Sequence, residues 1–352
     1  MSGFHKLTIQ DIQRETDKAI SISFNLPENL KDDFLFKAGQ YITLKTTINN
    51  KEVRRDYSLC ASPKSGIIKV AIKEVKDGTF SAYANNNLKA GDTLDVATPK
   101  GRFTFTPNSN TKNIVAFAAG SGITPVLSII KCALEEETES KVVLVYGNKS
   151  LKDSMFTNDI ADLKNKYENR FFTQFAYSQE EESNAIFGRI DKSTVNYVLN
   201  EHKNTSFNAF YICGPEAMIY EVKDTLIERQ IKEDNINYEL FKASKPTDTT
   251  TANNTNVAQG NTKITVIVDD ETTTFDMPQK QTLLEAALDK DLDAPYSCQG
   301  GICSSCLARV TEGQATMTQN NILTDSEVAE GLILTCQAHP TTPTIVIDFD
   351  DV

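Results

Sequence analysis

The chain has no uninterrupted apolar run of the roughly 18 residues that a membrane-spanning helix needs. Its longest apolar stretch, from Ile114 to Ile130, is broken by Gly120, Gly122 and Pro125, so no membrane partner is expected. The first residues, MSGFHKLTIQ, lack the basic and then apolar segments of a secretory leader, and a cytoplasmic location is the expectation. There is no nucleophile elbow, zinc-protease helix or P-loop. The 3 histidines, His5, His202 and His339, show no spacing that suggests a metal site and read as surface or structural residues. Positive charge is also in short supply: 48 acidic residues against 36 basic ones leave a net charge of -12, a field that repels nucleic acid. No internal repeat and no bias toward Pro, Gly or Ser points to an array or a disordered chain.

What is present fits a globular protein, 39% hydrophobic and 24% charged, whose 352 residues exceed what one hydrophobic core supports and call for two or three domains. The charge is uneven. From Thr262 to Val352 there are 15 acidic and 4 basic residues, a net of -11. Either this surface is merely solubilising, or it steers the last domain onto a basic protein partner. The 7 cysteines are odd in number and clustered, which in a reducing compartment argues for metal ligation or redox chemistry over a disulfide framework.

Up to about residue 107, short apolar runs such as Tyr41 to Leu44, Ile67 to Ile72 and Thr93 to Val96 alternate with glycine-marked turns, the rhythm of an antiparallel β-barrel. From Asn113 the pattern changes. Strands are expected at Ile114 to Ala118, Val142 to Tyr146, Phe171 to Tyr177 and Ala209 to Cys213, with helices at Pro125 to Glu137, Ser154 to Tyr167 and Glu216 to Glu228; such alternation predicts a doubly wound α/β domain with a parallel sheet. Residues 244–261, SKPTDTTTANNTNVAQGN, have almost no apolar content and read as a linker. Beyond it, a hairpin over Lys263 to Phe275, a helix over Thr282 to Leu288 and a closing strand over Thr344 to Phe349 are expected. The resulting division is 1–107, 108–243, the linker 244–261, and 262–352.

Cys298, Cys303, Cys306 and Cys336 stand as C-x4-C-x2-C, 29 residues and a last Cys, the plant-type spacing for a 2Fe-2S cluster. The small residues Gln299, Gly300, Gly301, Ser304 and Ser305 let the loop wrap closely and turn backbone N–H groups toward the sulfides. A structural zinc site is the alternative, but such sites usually pair C-x2-C knuckles. Ala119-Gly-Ser-Gly-Ile-Thr-Pro125 follows a buried strand and opens a helix. It reads either as an ordinary strand-to-helix turn or as a site where bare backbone and a helix N-terminus approach a pyrophosphate, with Gly120, Gly122, Thr124 and Pro125 as its candidate contacts. Cys213-Gly214-Pro215 sits at a second strand-to-helix junction.

Taken together, these motifs and Arg54-Arg55-Asp56-Tyr57-Ser58 resemble the ferredoxin-NADP reductase superfamily, and residues 262–352 look like a plant-type ferredoxin domain of α+β, β-grasp type. The resemblance implies an FAD-binding β-barrel, an NAD(P)-binding α/β domain and a C-terminal cluster domain, with FAD favoured over FMN. It implies that Arg55 neutralises flavin phosphates, Tyr57 lies against the isoalloxazine ring and Ser58 hydrogen-bonds near N5. Val70, Ile72 and Lys73 match the flavin-edge strand, and Gly78 with Ser81 the second phosphate-binding turn. Cys213, with Gly214 and Pro215, would lie beside the nicotinamide, unless it is simply a core cysteine. Glu239 and Phe241 match a terminal Glu-x-aromatic motif, Glu239 joining Cys213 and Ser58 as catalytic candidates and Phe241 covering the flavin, although here the chain continues and a core role for Phe241 is equally open. Lys149 and Ser150 follow the second α/β strand, where the ribose 2′-position is read; with no nearby carboxylate they favour NADPH, with NADH the alternative. Arg54 to Cys60, Leu144 to Asn148 and Leu334 to Ala338 are similar to reductase subunits that feed a di-iron oxygenase in aerobic phenylacetate degradation. Another hydroxylase, a desaturase or a haem protein as acceptor, and a non-enzymatic electron carrier, are the competing readings.

Overall fold

The computed structural model describes residues 3–107, 113–241 and 260–352. Phe4–Phe241 form one compact unit, and the residues from Gly260 onward belong to a second. The linker expected at 244–261 lies, up to residue 259, outside the described residues.

The first unit begins with β1 (Phe4–Thr16), β2 (Ala19–Asn25), β3 (Tyr41–Ile48), β4 (Lys51–Ser58), β5 (Ile68–Lys73), helix α1 (Thr79–Asn87) and β6 (Thr93–Ala97). The strands form an antiparallel sheet in the order β4-β3-β6-β1-β2-β5. A bridge between Leu59 and Val70 brings the end of β4 onto β5 and curls the sheet into a barrel. Period-two alternation decides which side chains go inside: Leu7 and Ile9 on β1, Ile20 and Ile22 on β2, and Ile68, Val70 and Ile72 on β5 share one core. Each such side chain contributes about 1.5–3 kcal/mol on burial. Helix α1 was not expected from the sequence; its mean polarity hides the buried Phe80 and Ala84 that seat it.

The α/β half follows as β7 (Ile114–Ala119), α2 (Ile123–Glu136), β8 (Val142–Asn148), α3 (Thr157–Lys166), β9 (Phe171–Tyr177), β10 (Ala185–Phe187), α4 (Lys192–Glu201), β11 (Ala209–Gly214), α5 (Glu216–Glu228) and β12 (Ile236–Leu240). Its strands are all parallel, in the order β10-β9-β8-β7-β11-β12. Both faces are covered, so β7 and β8 read as unbroken apolar runs. The two halves are stitched together. Ser128 Oγ donates to the Ala61 carbonyl at 2.7 Å, Ser62 Oγ to Glu135 at 2.5 Å and the Tyr211 hydroxyl to the Thr104 carbonyl at 3.2 Å. Phe156, in the left-handed region at φ 60, donates its amide to Glu15 Oε2 at 3.2 Å.

The second unit contains β13 (Asn261–Val268), β14 (Glu271–Pro278), α6 (Leu283–Leu288), β15 (Leu307–Glu312), β16 (Ala315–Met317), α7 (Asp325–Ala329), β17 (Leu332–Leu334), β18 (Ala338–Pro340) and β19 (Thr344–Asp348). Its main sheet runs β14-β13-β19-β15-β17, with β13 and β19 parallel, and α6 buries Leu283, Leu284, Ala286 and Ala287. Thr282 and Glu285 close a capping box on that helix, which fixes where it starts. Among the described residues no helix is long and apolar enough to cross a membrane.

Candidate functional site

The strand order reverses between β7 and β11. Loops leaving the C-terminal ends of these two strands therefore lie side by side at a topological switch point, where open α/β sheets take their ligands. They are Gly120–Gly122 and the Cys213-Gly214-Pro215 turn. Their closeness depends on glycine. A Cβ on Gly122 would lie 2.0 Å from the Cys213 carbonyl oxygen and 2.8 Å from the Gly214 amide nitrogen. Gly120 is left-handed at φ 56. Helix α2 follows with no side-chain cap, its first N–H, that of Ile123, already bonded to the Gly120 carbonyl, so the anion-facing donors of this helix start are those of the Gly120–Gly122 turn. Thr124, 3% exposed, donates its hydroxyl to the Ser121 carbonyl at 3.0 Å. Pro125 is buried in the same first turn, where its missing N–H is no loss.

Cys213 is fully buried and pairs in register with Glu239 across β11 and β12. Burial, and then the neighbouring Glu239, push its thiol well up from the ordinary value. Glu239 is raised to about 8 by burial first and by Asp56 second, so its carboxyl is largely neutral near pH 7. Its Oε2 is inaccessible and has no hydrogen-bond partner, an orphaned polar atom of the kind a bound ligand satisfies. Asp56 accepts from the Thr43 hydroxyl at 2.6 Å. Phe241 follows β12 and packs, partly buried, against the α/β core.

On the barrel side, Arg55 is exposed on β4 and donates to the Arg54 carbonyl at 2.6 Å. The half-buried Tyr57 ring lies 5.6 Å from Phe80, and burial, opposed by Arg55, raises its hydroxyl. Ser58 ends β4, 6% exposed. Val70 and Ile72 are both fully buried in the barrel core, so what they can offer a flavin is main chain. Lys73, on the same strand, faces the other way. A Cβ on Gly120 would stand 3.8 Å from its Nζ, and burial lowers its pKa, with Asp153 opposing. Gly78 caps α1 without a side-chain hydrogen bond, and Ser81 pins the turn before it by accepting from Val75 N at 3.2 Å. A Cβ on Gly78 would lie 2.4 Å from Ser81 Oγ. An open groove of about 1020 Å³ lies at this helix N-terminus, lined by Lys18 and Lys76 but also by Glu74 and Asp77, beside Gly78 and Thr79.

Lys149 is exposed beyond β8. Ser150 is not free of carboxylates, contrary to the sequence reading. The one-turn helix Leu151–Asp153 folds Asp153 back so that it accepts the Ser150 hydroxyl at 2.6 Å, and Glu180 accepts from Leu151 N at 2.7 Å.

In the second unit the four sulfurs stand as two pairs. Cys303 Sγ donates to Cys298 Sγ at 3.1 Å, and Cys306 donates to Cys336. Among the described residues no group of three or more His, Cys, Asp or Glu gathers on one point for a single ion. Two pairs suit a two-iron cluster, which takes two thiolates per iron. The Cys303 hydrogen bond first, and the amides of Gly300, Ile302 and Cys303 next, lower Cys298 to about 6; Gly300 N lies 3.3 Å from its sulfur. The loop turns through left-handed Gln299 and Gly301, at φ 51 and 69, and a Cβ on Gly301 would lie 2.9 Å from the Gln319 carbonyl oxygen. These thiols and N–H groups fit the cluster that the spacing predicts.

A flavin barrel, a dinucleotide switch point and a four-cysteine loop define an NAD(P)H-dependent flavin and iron–sulfur oxidoreductase. The chain matches the oxidoreductase FAD-binding domain family over residues 6–105, the oxidoreductase NAD-binding domain family over residues 117–224 and the 2Fe-2S iron-sulfur cluster binding domain family over residues 266–341. It is 36% identical to one of the subunits of 1,2-phenylacetyl-CoA epoxidase of Escherichia coli (strain K12), covering 99% of each chain. It is 33% identical to the ferredoxin reductase component of 3-ketosteroid-9-alpha-monooxygenase of Rhodococcus rhodochrous, over 97% of this chain and 96% of that protein. The chain belongs to the family of these reductase components, with FAD, NAD(P)H and a 2Fe-2S cluster as its redox groups. Its fold is shared with phthalate dioxygenase reductase, at a TM-score of 0.61 and 23% identity over 99% of this chain and 98% of that one.

Proposed function

We propose that this chain is the cytoplasmic reductase component of a multicomponent oxygenase and passes electrons from NAD(P)H to a di-iron oxygenase of aerobic phenylacetate degradation. The observation that carries the acceptor is the 36% identity, end to end, with a component of phenylacetyl-CoA epoxidase. FAD supplies acceptance of a hydride, and the cluster supplies release of single electrons; the residues supply position. Arg55 and the α1 N-terminus at Gly78 would neutralise flavin phosphates, Tyr57 would lie on the isoalloxazine ring, and Ser58 would hydrogen-bond its reacting edge. Lys73 donates from β5 beside Gly120. The Gly120–Gly122 turn with Thr124 and Pro125 holds the nucleotide pyrophosphate, while Gly214 and Pro215 border the nicotinamide. Cys213 packs against it, and Glu239 holds a proton at a carboxyl whose Oε2 is otherwise unpartnered. Phe241 excludes water from the flavin until nicotinamide arrives. Cys298 with Cys303, and Cys306 with Cys336, would hold one iron each.

The test is in two stages. Purified protein should show flavin and 2Fe-2S absorbance that bleaches anaerobically with NAD(P)H; no flavin band, or no bleaching, ends the enzyme reading and leaves the electron-carrier one. Added to the other oxygenase components, it should support phenylacetyl-CoA-dependent nucleotide oxidation. Bleaching without that transfer removes this acceptor and favours the second reading, a steroid-type oxygenase, which the relative at 33% identity supports.

A further inference from the structure

Cys336 lies in the short turn between β17 and β18, and the residue after it, Gln337, reaches across the cysteine loop. The Gln337 amide donates to the Leu334 carbonyl at 2.9 Å, and its carbonyl accepts from Thr318 N at 2.9 Å, so the backbone here is held from both sides. The packing is close: a Cβ on Gly301 would stand 3.1 Å from Gln337 Cγ.

The Gln337 side chain has a defined direction. Thr318 Oγ1 donates to its Oε1 at 2.9 Å, which leaves Nε2 as the end turned to the loop, since only the nitrogen can donate. Nε2 donates to the Gln299 carbonyl at 3.0 Å and to Cys336 Sγ at 3.8 Å; an amide nitrogen carries two hydrogens and can serve both. Gln299 is the left-handed residue that turns the loop directly after Cys298. Gln337 therefore ties the loop carrying Cys298, Cys303 and Cys306 to the sulfur of Cys336. That sulfur also accepts from the Gly301 amide, so a side-chain donor is added to a main-chain one. Donors aimed at a ligand sulfur offset the negative charge that an electron brings to an iron–sulfur cluster, and so favour its reduced state.

We propose that Gln337, oriented by Thr318, is a positioning residue that raises the reduction potential of the 2Fe-2S cluster by donating a hydrogen bond to Cys336. This role concerns the cluster alone and holds whichever oxygenase accepts the electron.

The experiment is a redox titration of the anaerobic holoprotein followed by electron paramagnetic resonance of the reduced cluster, which reads a midpoint and needs no turnover. Gln337→Met keeps the length of the side chain but has no donor, and should lower the midpoint by about 59 mV, a tenfold shift in a one-electron equilibrium. Gln337→Glu, which keeps an acceptor for Thr318 and turns a carboxylate oxygen toward the sulfur, should lower it at least as far. Thr318→Val frees the amide to flip and should lower the midpoint by a smaller amount. Thr265→Val on β13, whose hydroxyl pairs with that of Thr274, should leave it unchanged. A purely structural clamp would change cluster content or melting temperature without moving the midpoint, so a native midpoint in Gln337→Met and Gln337→Glu overturns the assignment. Should neither variant bind a cluster, a native midpoint in Thr318→Val overturns it. A native protein with no 2Fe-2S signal would instead refute the cluster itself, and the role of Gln337 with it.

Discussion

Replacing Gly122 by alanine tests the switch-point geometry with a single methyl group. The added Cβ would stand 2.0 Å from the Cys213 carbonyl oxygen, 2.4 Å from its carbonyl carbon and 2.8 Å from the Gly214 nitrogen. All three are backbone atoms, held by β11 in the middle of the sheet, and none can rotate away as a side chain would. An ordinary contact begins at 3.4 Å, so the two loops must part by about 1.4 Å. Overpacking of this kind costs about 1–3 kcal/mol of stability, which a unit of this size survives. The larger effect is on rate: a misplacement near 1 Å at a reacting centre costs on the order of a hundredfold. Gly122→Ala should therefore fold and retain its flavin spectrum, while anaerobic bleaching by nicotinamide nucleotide slows by about two orders of magnitude. Gly3, whose Cβ would meet nothing within 4 Å, serves as the silent control. Bleaching at the native rate would refute the claim that close approach of these loops sets the hydride-transfer geometry.

Two further outcomes are expected. Glu239 has its carboxyl raised from 4.5 to about 8. The folded state therefore binds more protons than the unfolded one between those values, and this residue's contribution to stability, full below 4.5, is lost as pH rises toward 8. Thermal melts across that window should fall more steeply for the native protein than for Glu239→Gln, and parallel curves would show that the carboxylate is already charged at low pH. Acceptor reduction should slow as salt is raised, because the net charge of -11 from Thr262 to Val352 steers docking; a flat response would mean that this surface only solubilises.

Much of the architecture was legible because it rests on local patterns. The apolar runs of β7, β8 and β11 and the short runs of β3, β5 and β6 announce a parallel and an antiparallel sheet, and the cysteine spacing specifies a cluster. A helix was expected from Thr282, and the capping box of Thr282 with Glu285 is what starts it there. The features that escaped depend on tertiary placement. Helix α1 is seated by two buried apolar side chains, Phe80 and Ala84, among polar ones of which Ser81 and Asn85 are also buried. Val70 and Ile72 match a flavin-edge motif by position, yet strand alternation turns them into the barrel. The pairing of Cys213 with Glu239 requires knowing that β12 lies in register beside β11. Lys149 and Ser150 read as having no carboxylate nearby; only the turn that follows brings Asp153 back onto the Ser150 hydroxyl.

The amide of Phe156, at the entrance to α3, is held by Glu15, a residue of the first barrel strand, and Ser128 and Ser62 tie α2 to the segment after β4. A family assembled from recognisable parts invites exchange of those parts, but here the flavin half and the nucleotide half are poor candidates for separate exchange. A chimera cut between them would release a left-handed phenylalanine from the carboxylate to which its amide donates. The natural cut falls after Phe241, so that the barrel and the parallel sheet travel together.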